Sequence, residues 1–218
     1  MTVPSRRDSV ALLLSLEPPA WFMRHSCAVA ETAGWLALQA ASNGVPLDRR
    51  LTESAALLHD IDKLPAVNAA AVGLAHAVGA ATWLAERGYP ELGPVIAGHP
   101  VSRLADESWF GNWLATAGPE ALIVAYADKR AGQRLESMAQ RFGSWTRRYP
   151  PEGAGGGGGA WDSATVEAVW RRSETIELRV CEMAGVEPDQ VRRLHWTAPL
   201  IRGAAGRLFP LADAGRGA

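Results

Sequence analysis

The chain has 218 residues, 48% of them apolar and 21% charged, with a formal net charge of −1. That length suits one domain, or one domain with a smaller appendage, and buries a core of useful size. The near-neutral charge excludes a global field for nucleic acid or anionic lipid, and no apolar run reaches the ~18 residues needed to cross a bilayer. Cys27 and Cys181 lie far apart in no metal-like spacing. They argue against a disulfide framework and for a reducing cytoplasm. Arg6 and Arg7 precede a short apolar stretch that Asp8 interrupts and Glu17 closes, with no small-residue cleavage pattern, so no signal peptide is read.

Apolar residues at three- and four-residue spacing predict helices near 8–16, 20–43, 50–60, 70–87, 91–99, 119–131, 133–147, 162–184 and 188–208, the last open to a break at Pro199. Gly44, Gly88 and Gly118 sit where helices should stop, with Pro46, Pro90 and Pro119 close behind. No convincing alternating strand is present, so the fold class is all-α. Residues 149–160 hold Pro150, Pro151 and the run Gly155–Gly159. A glycine run loses the most entropy on ordering, so it reads as a linker on the surface, far from any site. A phosphate-cradling loop would need a preceding strand and a Lys-Ser/Thr pair, and neither is there. The linker divides a core domain, residues 1–148, from a C-terminal helical extension, residues 161–218.

Four of the five histidines fall where apolar residues are expected. His25 shares a stripe with Trp21, Val29, Thr32 and Leu36. His59 ends the run Ala55–Leu58. His76 shares a stripe with Val72, Ala80 and Trp83, and His99 follows Leu92, Val95 and Ile96. Asp128 follows Ile123, Val124 and Ala127, and Asp60 adjoins His59. Taken singly, each is a hydrogen-bonded core residue or a helix cap. Six such exceptions in one small core need a common cause, because buried polar groups without partners are costly. A metal centre supplies one. Mixed His/Asp donors without cysteine suit Fe, Mn, Zn, Ni or Co. Six ligands exceed what one catalytic ion with an open position takes, so two ions bridged by a carboxylate fit better.

The ordered set His25, His59-Asp60, His76, His99, Asp128 resembles the HD superfamily of metal-dependent phosphohydrolases, an all-helical bundle. Leu57-Leu58-His59-Asp60-Ile61-Asp62-Lys63 is similar to its central motif, and Ala125-Tyr126-Ala127-Asp128-Lys129 to its distal Asp motif. The resemblance covers roughly residues 20–140. Within the family the chain most resembles the branch that hydrolyses dinucleoside polyphosphates symmetrically. The shared features are His76-x-x-Gly79-Ala80, Arg103 after His99 and Arg134 after Asp128. The chain departs from that branch at Pro100-Val101, at Lys129-Arg130 and in its long tail. The resemblance implies one ion on His25, His59, Asp60 and Asp128, and a second on Asp60, His76 and His99. It implies two divalent ions, Fe or Mn first, with Zn, Ni, Co or Mg as alternatives.

The expected activity is attack of a metal-bound hydroxide on a nucleotide-like phosphoanhydride or phosphoester. Asp60 and Lys63 are the expected catalytic residues, and Lys63, Arg103 and Arg134 the expected hold on substrate. Lys63 is one of two lysines against twenty arginines, and the other is Lys129. Lys129 and Arg130 are weaker candidates. Asp62 either orients a ligand histidine or pairs with Lys63. Trp35 and Trp83 read as core, and Trp109 and Trp113, in a loop-like stretch, as candidates for a pocket mouth. His195 and the mixed-charge tail read as structural or solvated. The partners expected are a phosphorylated small molecule and a second copy in a homodimer, with neither membrane nor nucleic acid among them. Two other readings stay open: a di-iron oxygenase acting on a phosphonate or polyol, and a non-catalytic HD module that senses a nucleotide.

Overall fold

In the computed structural model, which describes residues 3–148 and 161–208, the described chain forms eleven α-helices and no strand. They are α1 (Arg6–Leu14), α2 (Ala20–Ser42), α3 (Arg49–Leu58), α4 (Pro65–Ala70), α5 (Val78–Glu86) and α6 (Leu92–Ile96). The chain continues through α7 (Glu107–Thr116), α8 (Pro119–Arg130), α9 (Met138–Arg148), α10 (Ser163–Ala184) and α11 (Thr197–Leu208). Side-chain caps set several starts. Ser5 and Asp8 form a capping box on α1, Asp48 accepts from the Arg50 and Leu51 amides, and Asp162 accepts from Thr165. Pro119 opens α8, where its missing N–H is not needed.

The core lies where α2 packs against α3 and α8, with α6 closing one side. Leu36, Leu57, Leu58, Ile96, Ile123 and Tyr126 are fully buried there. Each such aliphatic side chain contributes about 1.5–3 kcal/mol by leaving water. Helix α10 lies across α8 and α2. The Tyr126 hydroxyl donates to Glu177 at 2.6 Å, and Arg130 donates to the Pro188 carbonyl at 3.0 Å. On α2, buried Glu31 accepts from Arg193 at 2.7 Å and from the Thr197 hydroxyl at 2.6 Å. The segment after residue 160 therefore braces the two helices that carry His25 and Asp128. Residues 149–160, including Gly155–Gly159, lie outside the described residues.

The all-helical expectation holds, with local corrections. The helix expected over 70–87 is two helices joined by a turn. Gly73 takes φ +81° there, and Val72 is 81% exposed, so the stripe assigned to Val72 and His76 does not exist. The helix expected to reach His99 ends at Ile96, because Pro100 disfavours helical geometry in the residue before it. The one expected to reach Asp60 ends at Leu58. Residues 107–116, read as loop-like, form α7 under an Asp106 cap. The stretch over 188–208 is a 3-10 turn, Pro188–Gln190, then α11. Pro199 sits in the first turn of α11, where the lost N–H is harmless.

Candidate metal centre

His25 projects from α2 and Asp128 from α8, but the other four residues sit at breaks. His59 is the C-cap of α3. Asp60 leaves helical geometry, at φ −108° and ψ 9°, and starts a 3-10 turn over Ile61–Lys63. Neighbours in a continuous helix point about 100° apart; the break lets His59 and Asp60 face the same centre. His76 precedes α5 in a turn whose next residue, Ala77, has φ +69°. A non-glycine residue there is strained by about 1–3 kcal/mol. The Ala77 amide donates to Asp62 Oδ2 at 2.7 Å, which holds the turn. His99 follows α6, and its carbonyl accepts from Lys129 Nζ at 3.0 Å.

The six side chains converge as two nests that share Asp60. Asp60 Oδ2 lies 3.3 Å from His25 Nε2 and 3.4 Å from His59 Nε2. Asp128 Oδ1 faces the same two nitrogens at 3.4 and 3.6 Å. Asp60 Oδ1 turns the other way, 3.2 Å from both His76 Nε2 and His99 Nε2. The far nitrogen of every ring is engaged. His25 Nδ1 meets the Gly132 carbonyl at 2.8 Å, His59 Nδ1 that of Ala56 at 2.8 Å, and His99 Nδ1 that of Ile96 at 2.7 Å. His76 Nδ1 meets Asp62 at 3.0 Å. A carbonyl accepts only, so a neutral ring carries its proton on Nδ1 and turns a lone pair inward. Four inward lone pairs and two carboxylates repel one another unless cations lie between them. The donor set therefore fits divalent ions, and the described residues include three groups that could hold one: His25/His59/Asp128, His59/Asp60/His99 and Asp60/Asp62/His76. In the last, Asp62 is already committed to His76 and Ala77, as a carboxylate behind a ligand ring is.

Electrostatics tell the same story in protons. Burial opposes charge on His25, but Asp128 and Asp60 outweigh it and raise the ring to about 10. His76, likewise opposed by burial, is raised to about 9 by Asp60 and Asp62. His99 is lowered to about 4 by complete burial, against the pull of Asp60. Burial pushes Asp60 and Asp128 up, yet the surrounding imidazoles hold both well below the usual carboxylate range. With no metal bound, protons on His25 and His76 supply positive charge beside the two carboxylates.

The supporting residues divide. Lys63 Nζ lies 2.7 Å from Asp60 Oδ2 and lines the cavity of about 270 Å³ above the centre. Arg134 lines a second cavity beside it, 82% exposed and 3.7 Å from Glu136. Arg103 points elsewhere, over the Trp109 ring at 5.4 Å, and lines neither cavity. Trp109 and Trp113 stack on each other at 5.6 Å and also stay off the cavity walls. Trp113 instead packs on Gly98, where an added Cβ would clash with its ring. The tryptophan that lines the first cavity is Trp145. Lys129, the weaker lysine by sequence, lines it too; burial draws its ammonium down to about 8 against the charge of Asp128. Arg130 is structural, held by Tyr126 and Glu177. Trp145 and Arg141 carry no sequence signal except their place on the amphipathic α9. His195 stands outside the centre, 82% exposed and 3.6 Å from Glu31.

An all-helical bundle with buried His/Asp nests defines a metal-binding, hydrolase-like protein. The sequence profile of the HD domain family matches residues 22–132, and the chain belongs to that family, whose members are in general metal-dependent phosphohydrolases. Neither the curated proteins nor the solved structures contain a match to this chain. Among the described residues no helix is long and apolar enough to cross a membrane.

Proposed function

We propose that the chain is a phosphohydrolase that uses two divalent ions to cleave a nucleotide-like phosphoanhydride or phosphoester. The observation that carries this reading is Asp60, whose two oxygens serve opposite nests of imidazoles. His25, His59, Asp60 and Asp128 would hold one ion, and Asp60, His76 and His99 the other. Fe or Mn comes first for such nitrogen and oxygen donors, with Zn, Ni, Co or Mg as alternatives. Bound there, the ions supply an activated water and neutralise charge on the phosphorus oxygens. Lys63 stands at the rim of the centre, its ammonium 2.7 Å from Asp60 and its side chain 46% exposed, and would turn to a substrate phosphate once an ion engages Asp60. Asp62 fixes the ring and tautomer of His76. The sequence branch that the chain resembles makes dinucleoside polyphosphates the first substrates to test. Two free thiols, Cys27 and Cys181, fit a reducing cytoplasm.

The test is metal analysis of protein purified without chelator, coupled to a phosphate-release screen over nucleotides with and without oxygen. Two ions per chain and oxygen-independent release are expected. Turnover that requires oxygen would mean oxygenase chemistry, and metal binding with no turnover on any nucleotide would favour a sensing role.

A further inference from the structure

Arg141 belongs to none of the sequence motifs. The tight turn after α8 brings it over the centre: Gly132 N donates to the Arg134 carbonyl, and Glu136 N to that of Arg130. Helix α9 then lays Arg141 along both cavities, and His25 and Lys63 are the other two residues common to them. The Arg141 Nε atom is shut from solvent and, among the described residues, has no hydrogen-bond partner. Among the described residues no carboxylate lies within ion-pair distance of its guanidinium, whereas Arg6, Arg130, Arg134, Arg172 and Arg193 each have one. Lys63 and Lys129 line the cavities with it, as do the carboxylates of Asp60, Asp128 and Glu136, none of which lies within ion-pair distance of it. Lys63 is matched by Asp60, and Lys129 by the carbonyls of His99 and Ala125. A guanidinium partly withdrawn from water and left unmatched is costly. The partner that suits it is an anion entering the junction, and its planar fork suits a phosphate better than a point charge would.

The two sides of that junction differ. Next to Arg141 on α9, Phe142, and one turn along, Trp145, join Pro100 and Val101 on the first cavity. The second is walled mainly by polar groups, Gln133, Arg134, Glu136 and Ser144, with Trp21 as its single aromatic residue besides His25 among those described. We infer that Arg141 grips the substrate phosphate where the two cavities meet, and that the Phe142–Trp145 wall receives a planar organic group attached to it. The substrate class is thus an aromatic-bearing phosphate seated asymmetrically. This rests on the phosphohydrolase reading for its chemistry, but binding tests it separately.

The test uses Mn²⁺-loaded protein of measured metal content, without oxygen, titrated calorimetrically with methylphosphonate and phenylphosphonate, whose P–C bonds resist hydrolysis. Arg141→Gln should weaken both probes roughly ten- to a hundredfold, as loss of a charge-assisted pair does, with metal content unchanged. Arg141→Lys should recover part of that loss. Trp145→Ala should weaken phenylphosphonate roughly three- to tenfold and leave methylphosphonate alone, while Trp145→Phe keeps most of the ring's share. Wild-type affinity in Arg141→Gln, or loss of metal together with phosphonate, overturns the phosphate grip. An equal loss of both probes in Trp145→Ala overturns the ring subsite. Wild-type protein that binds phosphonate but releases phosphate from no nucleotide sinks the hydrolase reading and leaves Arg141 standing. Full turnover with unaltered affinity in Arg141→Gln does the reverse.

Discussion

Asp60→Asn keeps the shape of the side chain and removes one negative charge from the middle of the centre. Asp60 is 1% exposed. Its oxygens lie 3.2 to 3.4 Å from four imidazole nitrogens, so a shared ion on either side would touch it. Two unit charges 4 Å apart attract by about 4 kcal/mol at an effective dielectric of ~20, and a divalent ion in direct contact exceeds that. At 1.4 kcal/mol per tenfold, affinity for each ion should fall by a factor of about 10³ or more. The Asn amide also turns an N–H₂ toward one nest, where only acceptors are useful. Elemental analysis beside a phosphate-release assay measures the effect. We expect metal below one ion per chain and kcat/KM reduced by at least about 10³. Other single-ligand variants should lose less, because each touches one nest. Full metal content with wild-type turnover in Asp60→Asn would refute the bridging role and with it the dinuclear reading.

His99→Ala should leave about one ion bound by the His25, His59 and Asp128 side and abolish most turnover, which elemental analysis checks. Asp62→Asn should lower metal affinity or activity roughly 10- to 100-fold, as loss of a carboxylate behind a ligand ring does; a calorimetric metal titration reads it. Gly98→Ala should destabilise the fold by about 1–3 kcal/mol, because the new methyl meets Trp113, and chemical denaturation measures it. In the metal-free protein, the raised values of His25 and His76 give stability that is full below the unfolded value near 6.5. It is lost as pH rises through about 9 and about 10. The melting temperature of chelated protein should therefore fall from pH 7 to 10, and metal-loaded protein, whose rings hold ions instead of protons, should not share that fall.

How much of the fold is legible in the sequence depends on what ends each helix. Helices α2, α8 and α10 carry long apolar faces, and their limits match the periodicity to within a residue or two. The misreadings cluster around the centre. Ala-rich sequence from Ala69 to Ala81 supports a helix by propensity, yet residues 71–77 are turn because Asp62 holds Ala77 and His76 outside helical geometry. That is a tertiary contact overriding a local preference. Helix α7 is legible in principle: Trp109 and Trp113, like Phe110 and Leu114, stand four residues apart, and Asp106 caps its start, but the run is only ten residues long.

Most of the candidate ligands are legible as exceptions, polar residues where burial predicts apolar ones; His76, on no helical stripe and with its side chain 33% exposed, is legible only through the ordered motif. Their orientation is not, and the reason is chemical. Three of the four rings are fixed by backbone carbonyls, those of Gly132, Ala56 and Ile96. Every residue has a carbonyl, so no side-chain identity marks the ones that matter. Only His76 is fixed by a side chain, and Asp62 is the one orienting residue that the sequence singles out. The same asymmetry governs Arg141. Its proposed role rests on the partner it lacks among the described residues, and a missing partner is a property of the packed chain, visible only once α9 has folded back across the two cavities.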